Sequence, residues 1–184
     1  MMIRTFIALE IPRDPLSKIL EIRDQNFDIK LGVKWETIEK LHITLKFLGD
    51  TNSDLINLIN DELNNIILKQ KKFELTFDRF GMFKKNNIPK ILWVNFSKNQ
   101  YLNAFAREID QMCSKFGFES ELIEFKPHLT LLRIKNEKLV PEVNKLCNVK
   151  IPNINFVSDK VIFFESKLLK TGSVYNSIKS FIIS

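Results

Sequence analysis

Histidine is nearly absent from this chain of 184 residues: there are two, His42 and His128. Cysteine is as scarce, with only Cys113 and Cys147. Two thiols build no disulfide framework, and without a C-x-x-C pair a cysteine-based zinc site is excluded. Five Gly and six Pro exclude a collagen-like or low-complexity chain. No run approaches the roughly 18 apolar residues of a membrane span. The apolar stretch at the start ends at Glu10, too short for the core of a secretory signal. No G-x-x-x-x-G-K-[ST] loop occurs, which argues against ATP-dependent chemistry, and no G-x-S-x-G setting exists for a serine nucleophile. The absences together leave a soluble, cytoplasmic protein as the expectation.

What is present is a composition for folding. Hydrophobic residues make up 45% and charged residues 27%, and a length of 184 fits one domain spanning 1–184, built as two interleaved lobes. Phe is abundant at 16 against two Tyr and two Trp, so most aromatics are there to be buried. The net charge of +6 favours an anionic partner such as nucleic acid or a phosphorylated small molecule.

Periodicity predicts strands over 3–9, 40–48, 73–83, 90–96, 128–134, 160–168 and 173–183. Helices are expected over 14–26, from Asn52 or Ser53 to Ile67, over 99–116, and in a short piece near 137–147 that contains Pro141. Gly49-Asp50 is expected to end the second strand, Lys84-Lys85-Asn86-Asn87 to join two strands, and Lys170-Thr171-Gly172 to form the last turn. The order strand–helix–strands occurs twice with no linker between, which fits an α+β fold of two similar lobes.

Both histidines stand in one local setting, His42-Ile43-Thr44-Leu45 and His128-Leu129-Thr130-Leu131. Only seven residues are Thr, so chance alone seldom places one at the second position after both histidines. On a strand, residues two apart share a face, so each imidazole lies beside a hydroxyl. If two such strands face one cleft, the imidazoles supply a general acid and a general base near neutral pH. The hydroxyls then donate hydrogen bonds to the non-bridging oxygens of a phosphate. A zinc reading is poor, because neither a short H-x-x-x-H spacing nor a third ligand is evident. Alternation also puts Lys46 on the face of His42, where its charge would neutralise phosphate. Arg133, five positions after His128, has the opposite parity and is a phosphate contact only if the strand twists or ends. Core packing is the expectation for Phe47, Phe125, Trp93 and Tyr175.

At these residues the chain resembles the two-histidine (2H) phosphoesterases, specifically the RNA 2′,3′-cyclic phosphodiesterases, also called the 2′-5′ RNA ligase family. The resemblance rests on Arg4-Thr5-Phe6-Ile7-Ala8-Leu9, on Leu41-His42-Ile43-Thr44-Leu45-Lys46-Phe47-Leu48-Gly49 and on Phe125-Lys126-Pro127-His128-Leu129-Thr130-Leu131-Leu132-Arg133. Phe80-Gly81-Met82-Phe83, Leu92-Trp93-Val94, Phe164-Glu165-Ser166 and Val174-Tyr175 follow in matching order. It implies two pseudo-symmetric lobes of antiparallel sheet with helices outside and the cleft between them. It also implies His42 as proton donor to a leaving 3′ oxygen and His128 as proton acceptor from water. Thr44 and Thr130 would hold the phosphate, helped by Lys46, where the family often has Arg, and by Arg133. The implied reaction turns RNA 2′,3′-cyclic phosphate ends into 2′-phosphomonoesters, with 2′-5′ ligation as its reverse. It calls for no cofactor, no metal and no protein partner, and for a monomer. The residues alone leave open which histidine is acid and which is base. They also leave open a small cyclic phosphate or 2′-5′ oligoadenylate as substrate, or an RNA-end-binding module without turnover.

Overall fold

A computed structural model describes residues 1–28, 32–170 and 172–184. Among the described residues, eight strands and four α-helices follow in the order β1 (Met2–Glu10), α1 (Arg13–Asn26), β2 (His42–Asn52), α2 (Ile56–Ile67), β3 (Phe73–Lys85), β4 (Ile88–Phe96), α3 (Gln100–Ser114), β5 (His128–Arg133), α4 (Val140–Cys147), β6 (Asn155–Ser158), β7 (Lys160–Leu169) and β8 (Gly172–Ile182). Local chemistry sets several boundaries. The Asn99 side chain accepts from the Leu102 amide at 2.9 Å and so caps α3. Pro141 falls in the first turn of α4, where its missing N–H costs nothing. Asn86 and Asn87 both take positive φ, 51° and 61°, as the tight turn between β3 and β4 demands.

The strands form two antiparallel sheets, ordered β2-β1-β7-β8 and β5-β4-β3-β6. In each, a strand–helix–strand unit supplies the edge that matters: β1-α1-β2 in the first sheet and β4-α3-β5 in the second. Residues Phe73–Thr76 of β3 pair antiparallel with β6 inside the second sheet, and this is the junction from which the chain passes to the first. From that junction β3 runs on to pair with β4, while the chain after β6 continues into β7 and pairs with β1. One apolar cluster joins both halves: Ile7, Leu9 and Ile43 from one sheet, Leu92, Val94 and Leu129 from the other, with side chains from all four helices. The α+β expectation therefore holds.

Several boundaries differ from the periodicity. β3 runs on through Lys84 and Lys85, so only Asn86 and Asn87 join it to β4. β2 does not end at Gly49-Asp50; Gly49 takes φ +72° and the strand continues to Asn52, paired with β1 through two slips of register. β6 is only four residues long and carries too little pattern to be predicted from sequence. β5 stops at Arg133, one residue short of the expected end. In the expected last turn, Thr171 lies outside the described residues.

Gly81 faces Trp93 across the β3–β4 pair. A Cβ there would lie 2.6 Å from Cζ2 and Cζ3 of the indole, so the ring rests directly on the glycine backbone. Gly81→Ala should destabilise the fold by about 1–3 kcal/mol through overpacking, read by urea denaturation. An unchanged midpoint would mean that the indole moves aside freely.

Candidate active site

Each histidine is the first residue of a sheet-edge strand, His42 of β2 and His128 of β5. Among the described residues these two strands belong to different sheets, yet they lie against each other. The Glu36 amide, ahead of β2, donates to the Leu131 carbonyl of β5 at 2.9 Å and ties the two edges together.

The strands also share an irregularity. In the β1–β2 pairing Ala8 faces Thr44 and Ile7 faces Lys46, so Leu45 is an extra residue. In the β4–β5 pairing Trp93 faces Thr130 and Leu92 faces Leu132, so Leu131 is extra. Each bulge thus lies three residues after a histidine. Before it, alternation holds: the His and Thr of each strand are half-buried, while Ile43 and Leu129 are fully buried. At the bulge the alternation slips by one residue. Lys46 and Leu132 turn inward at 3% and 2% exposure, and Phe47 and Arg133 turn out.

This slip corrects the expectation for Lys46. Its ammonium does not stand free beside His42. It bonds Asp110 Oδ1 at 2.6 Å and the Glu119 carbonyl at 2.6 Å, with Glu121 Oε1 at 3.6 Å. The slip also removes the parity objection to Arg133, which is exposed at the end of β5 with Nε 3.6 Å from Glu36. Tyr175 stands edge-on to His42 at 5.5 Å, and burial raises the pKa of its phenol. Phe47 is not core: it is 44% exposed, with the Arg4 guanidinium 4.7 Å from its ring centre. Phe125 and Trp93 do pack, the first against the core and the second on Gly81 and Phe83.

The surroundings of the two imidazoles differ. His42 stacks on Phe6 at 5.0 Å, with Phe164 at 5.7 Å completing the aromatic bed. Periodicity alone missed this bed, although Phe6 and Phe164 stand opposite each other in the β1–β7 pairing. Burial there lowers the His42 pKa to about 4, and the charge of His128 pushes the same way. His128 bonds through Nδ1 to the Lys126 carbonyl at 2.8 Å. A carbonyl only accepts, so Nδ1 carries the proton and the lone pair of the neutral ring is on Nε2. Burial lowers the His128 pKa too, opposed by that hydrogen bond, and Phe83 meets the ring edge-on at 5.0 Å. A cavity of about 730 Å³ opens beside Thr44 and His128, lined also by Lys46, Phe47, Leu122 and Ile123, while His42 lines a separate cavity of about 460 Å³ with Leu41 and Phe164. Among the described residues no three His, Cys, Asp or Glu side chains group as a metal-ligand set. No helix among them is long and apolar enough to cross a membrane.

The chain is similar to known proteins along its whole length. The profile of the LigT-like phosphoesterases matches twice, over residues 9–93 and 94–175. Each copy holds one histidine, His42 in the first and His128 in the second. An RNA 2′,3′-cyclic phosphodiesterase of Methanocaldococcus jannaschii is 30% identical over 96% of this chain and 98% of its own. One from Thermotoga maritima is 28% identical over 94% of this chain and 91% of its own. The apo crystal structure of E. coli LigT shares the fold with a TM-score of 0.78 at 20% identity, covering 98% of this chain and 97% of that one.

The depressed His42 pKa has a signed consequence. Below the unfolded value near 6.5 the unfolded chain binds the proton that the folded site refuses. Stability is therefore fully present above pH 6.5 and is lost as pH falls from 6.5 toward 4, by up to about 3 kcal/mol from this group. An NMR titration should show His42 protonating near pH 4 in the absence of anions and at higher pH with saturating inorganic phosphate. A midpoint near 6.5 in the free protein would overturn the burial argument.

Proposed function

The chain belongs to the LigT-like phosphoesterase family, and on that premise we propose that it hydrolyses RNA 2′,3′-cyclic phosphate ends to 2′-phosphomonoesters. The observation that carries this reading is the pair of His-x-Thr edge strands lying against each other from two sheets. The relatives named as RNA 2′,3′-cyclic phosphodiesterases support it, since they match nearly the whole of this chain.

The cyclic diester enters with its non-bridging oxygens toward the Thr44 and Thr130 hydroxyls, which donate to them. Arg133 adds positive charge at the rim. Neutral His128, its Nδ1 held by the Lys126 carbonyl, takes a proton from water through Nε2. The water oxygen bonds to phosphorus, the bond from phosphorus to the 3′ oxygen breaks, and protonated His42 delivers a proton to that oxygen. The phosphate stays on the 2′ oxygen. With a 5′-hydroxyl in place of water as the nucleophile, the same forward steps join two ends through a 2′-5′ linkage and free the 3′-hydroxyl. Acid and base are both imidazoles, so the scheme calls on no further group.

With a pKa near 4, His42 is neutral in the free enzyme at pH 7. The anionic substrate must therefore raise it for His42 to act as the acid. The basic limb of the kcat profile should accordingly lie at higher pH than that of kcat/KM, which reports the free enzyme.

The direct test is a short RNA ending in a 2′,3′-cyclic phosphate, incubated with EDTA and analysed for the position of the product phosphate. A 2′-phosphate is expected, and His42→Ala or His128→Ala should each lower kcat by about 10²–10⁴-fold. Near-normal turnover by either variant would sink the mechanism. Turnover of cyclic mononucleotides or 2′-5′ oligoadenylate in preference to the RNA would reassign the substrate. Tight binding of the RNA end without cleavage would replace the enzyme with a binding module.

A further inference from the structure

Lys46 poses a problem that the reaction scheme does not use. Burying an ammonium is costly unless it is fully partnered, and the fold does not require one here. The corresponding position of the other half, one residue beyond the bulge of β5, is Leu132, an ordinary core residue at 2% exposure. The difference lies in what surrounds Lys46. It leaves β2, the strand of His42 and Thr44, and reaches Asp110 on α3 and the Glu119 carbonyl in the loop that leads to His128. Asp110 Oδ1 also accepts from the Glu121 amide at 3.2 Å. One buried ion pair thus pins the root of the 119–126 loop to the strand of the opposite lobe. The far end of that loop supplies the Lys126 carbonyl that holds His128 Nδ1.

Beyond this root the loop presents two adjacent aliphatic side chains to solvent, Leu122 at 98% exposure and Ile123 at 76%. Both line the 730 Å³ cavity together with Thr44 and His128. Bare aliphatic groups beside the polar Thr44 and His128 match a ligand that is charged at one end and apolar at the other. A nucleotide at an RNA end has that form.

We propose that Lys46 is a positioning residue, which tethers the 119–126 loop so that Leu122 and Ile123 form the apolar wall against which the terminal nucleoside of the substrate packs. The inference rests on the reading of the protein as an RNA-end phosphodiesterase. It assigns Lys46 to the shape of the nucleoside subsite rather than to phosphate.

The test is steady-state kinetics on the cyclic-phosphate RNA with folding checked by circular dichroism. The exposed double substitution Leu122→Ser/Ile123→Ser should raise KM by about tenfold with kcat little changed, since it removes two aliphatic contacts. Lys46→Leu, which copies the other half, should raise KM by at least as much. Lys46→Arg should restore most of the loss. The decisive readout is the combination: with the two serines already present, Lys46→Leu should add little to KM, because both act through one loop. Full additivity, or a fall in kcat with KM unchanged, would overturn the proposal in favour of direct phosphate contact. Normal KM in the serine variant would overturn it as well. If Lys46→Leu does not fold, the serine variant alone decides. An inactive wild type would instead strike at the phosphodiesterase reading, and the two failures are thereby distinguished.

Discussion

The site depends on one constraint: two edge strands from different sheets must lie against each other without pairing. Strand pairing would bring the backbones to hydrogen-bonding distance and leave no space for a substrate between them. Here β2 and β5 are kept in place by the shared apolar cluster behind them, with the Glu36 amide bridging to Leu131 at the rim. The backbone groups along an unpaired edge usually invite another strand. In this fold that edge is turned into the wall of a cleft. Because His42 and Thr44 come from one sheet and His128 and Thr130 from the other, any change that shifts the sheets relative to each other separates the two imidazoles.

The paired bulges do the finer positioning. Each comes one residue after the threonine, so it leaves the His–Thr face undisturbed and then reverses the strand's inside and outside. The two halves use the reversal differently. In β2 it turns Phe47 out toward the cavity and sends Lys46 inward to the loop ahead of His128. In β5 it turns Arg133 out and places plain Leu132 in the core. The repeat is therefore symmetrical in its His-x-Thr groups and asymmetrical just beyond them.

How much of this is legible in the sequence follows from the same bulges. The histidines and threonines could be found because a strand's period of two holds across a tripeptide and because histidine is so scarce. Residues past the bulge could not. Alternation puts Lys46 beside His42 and excludes Arg133 from the cleft face, and the slip at Leu45 and Leu131 reverses both statements. Nothing in Leu45 or Leu131 marks it as an extra residue, since neither is a glycine and both are buried like their neighbours. The junction strand β6 escaped notice for a different reason. Its partner residues in β3 are more than 70 positions away, and four residues carry too little pattern to be recognised locally.

The aromatic bed under His42 ties the core to the chemistry. Phe6 and Phe164 are neighbours across β1 and β7, strands that belong to the framework, yet their rings are what desolvates the imidazole. An imidazole in water would hold its proton near neutrality, whereas this one gives it up with a pKa near 4. An environment that disfavours a cation strongly also screens little, so a bound phosphodiester acts on the ring with more force than it would at an exposed site. Lysine or arginine at the same place would carry charge whether or not substrate were present and could not return a proton on cue. On the proposed mechanism the buried histidine takes up its charge when an anion arrives to share the cleft, which would couple protonation of His42 to occupancy by the substrate.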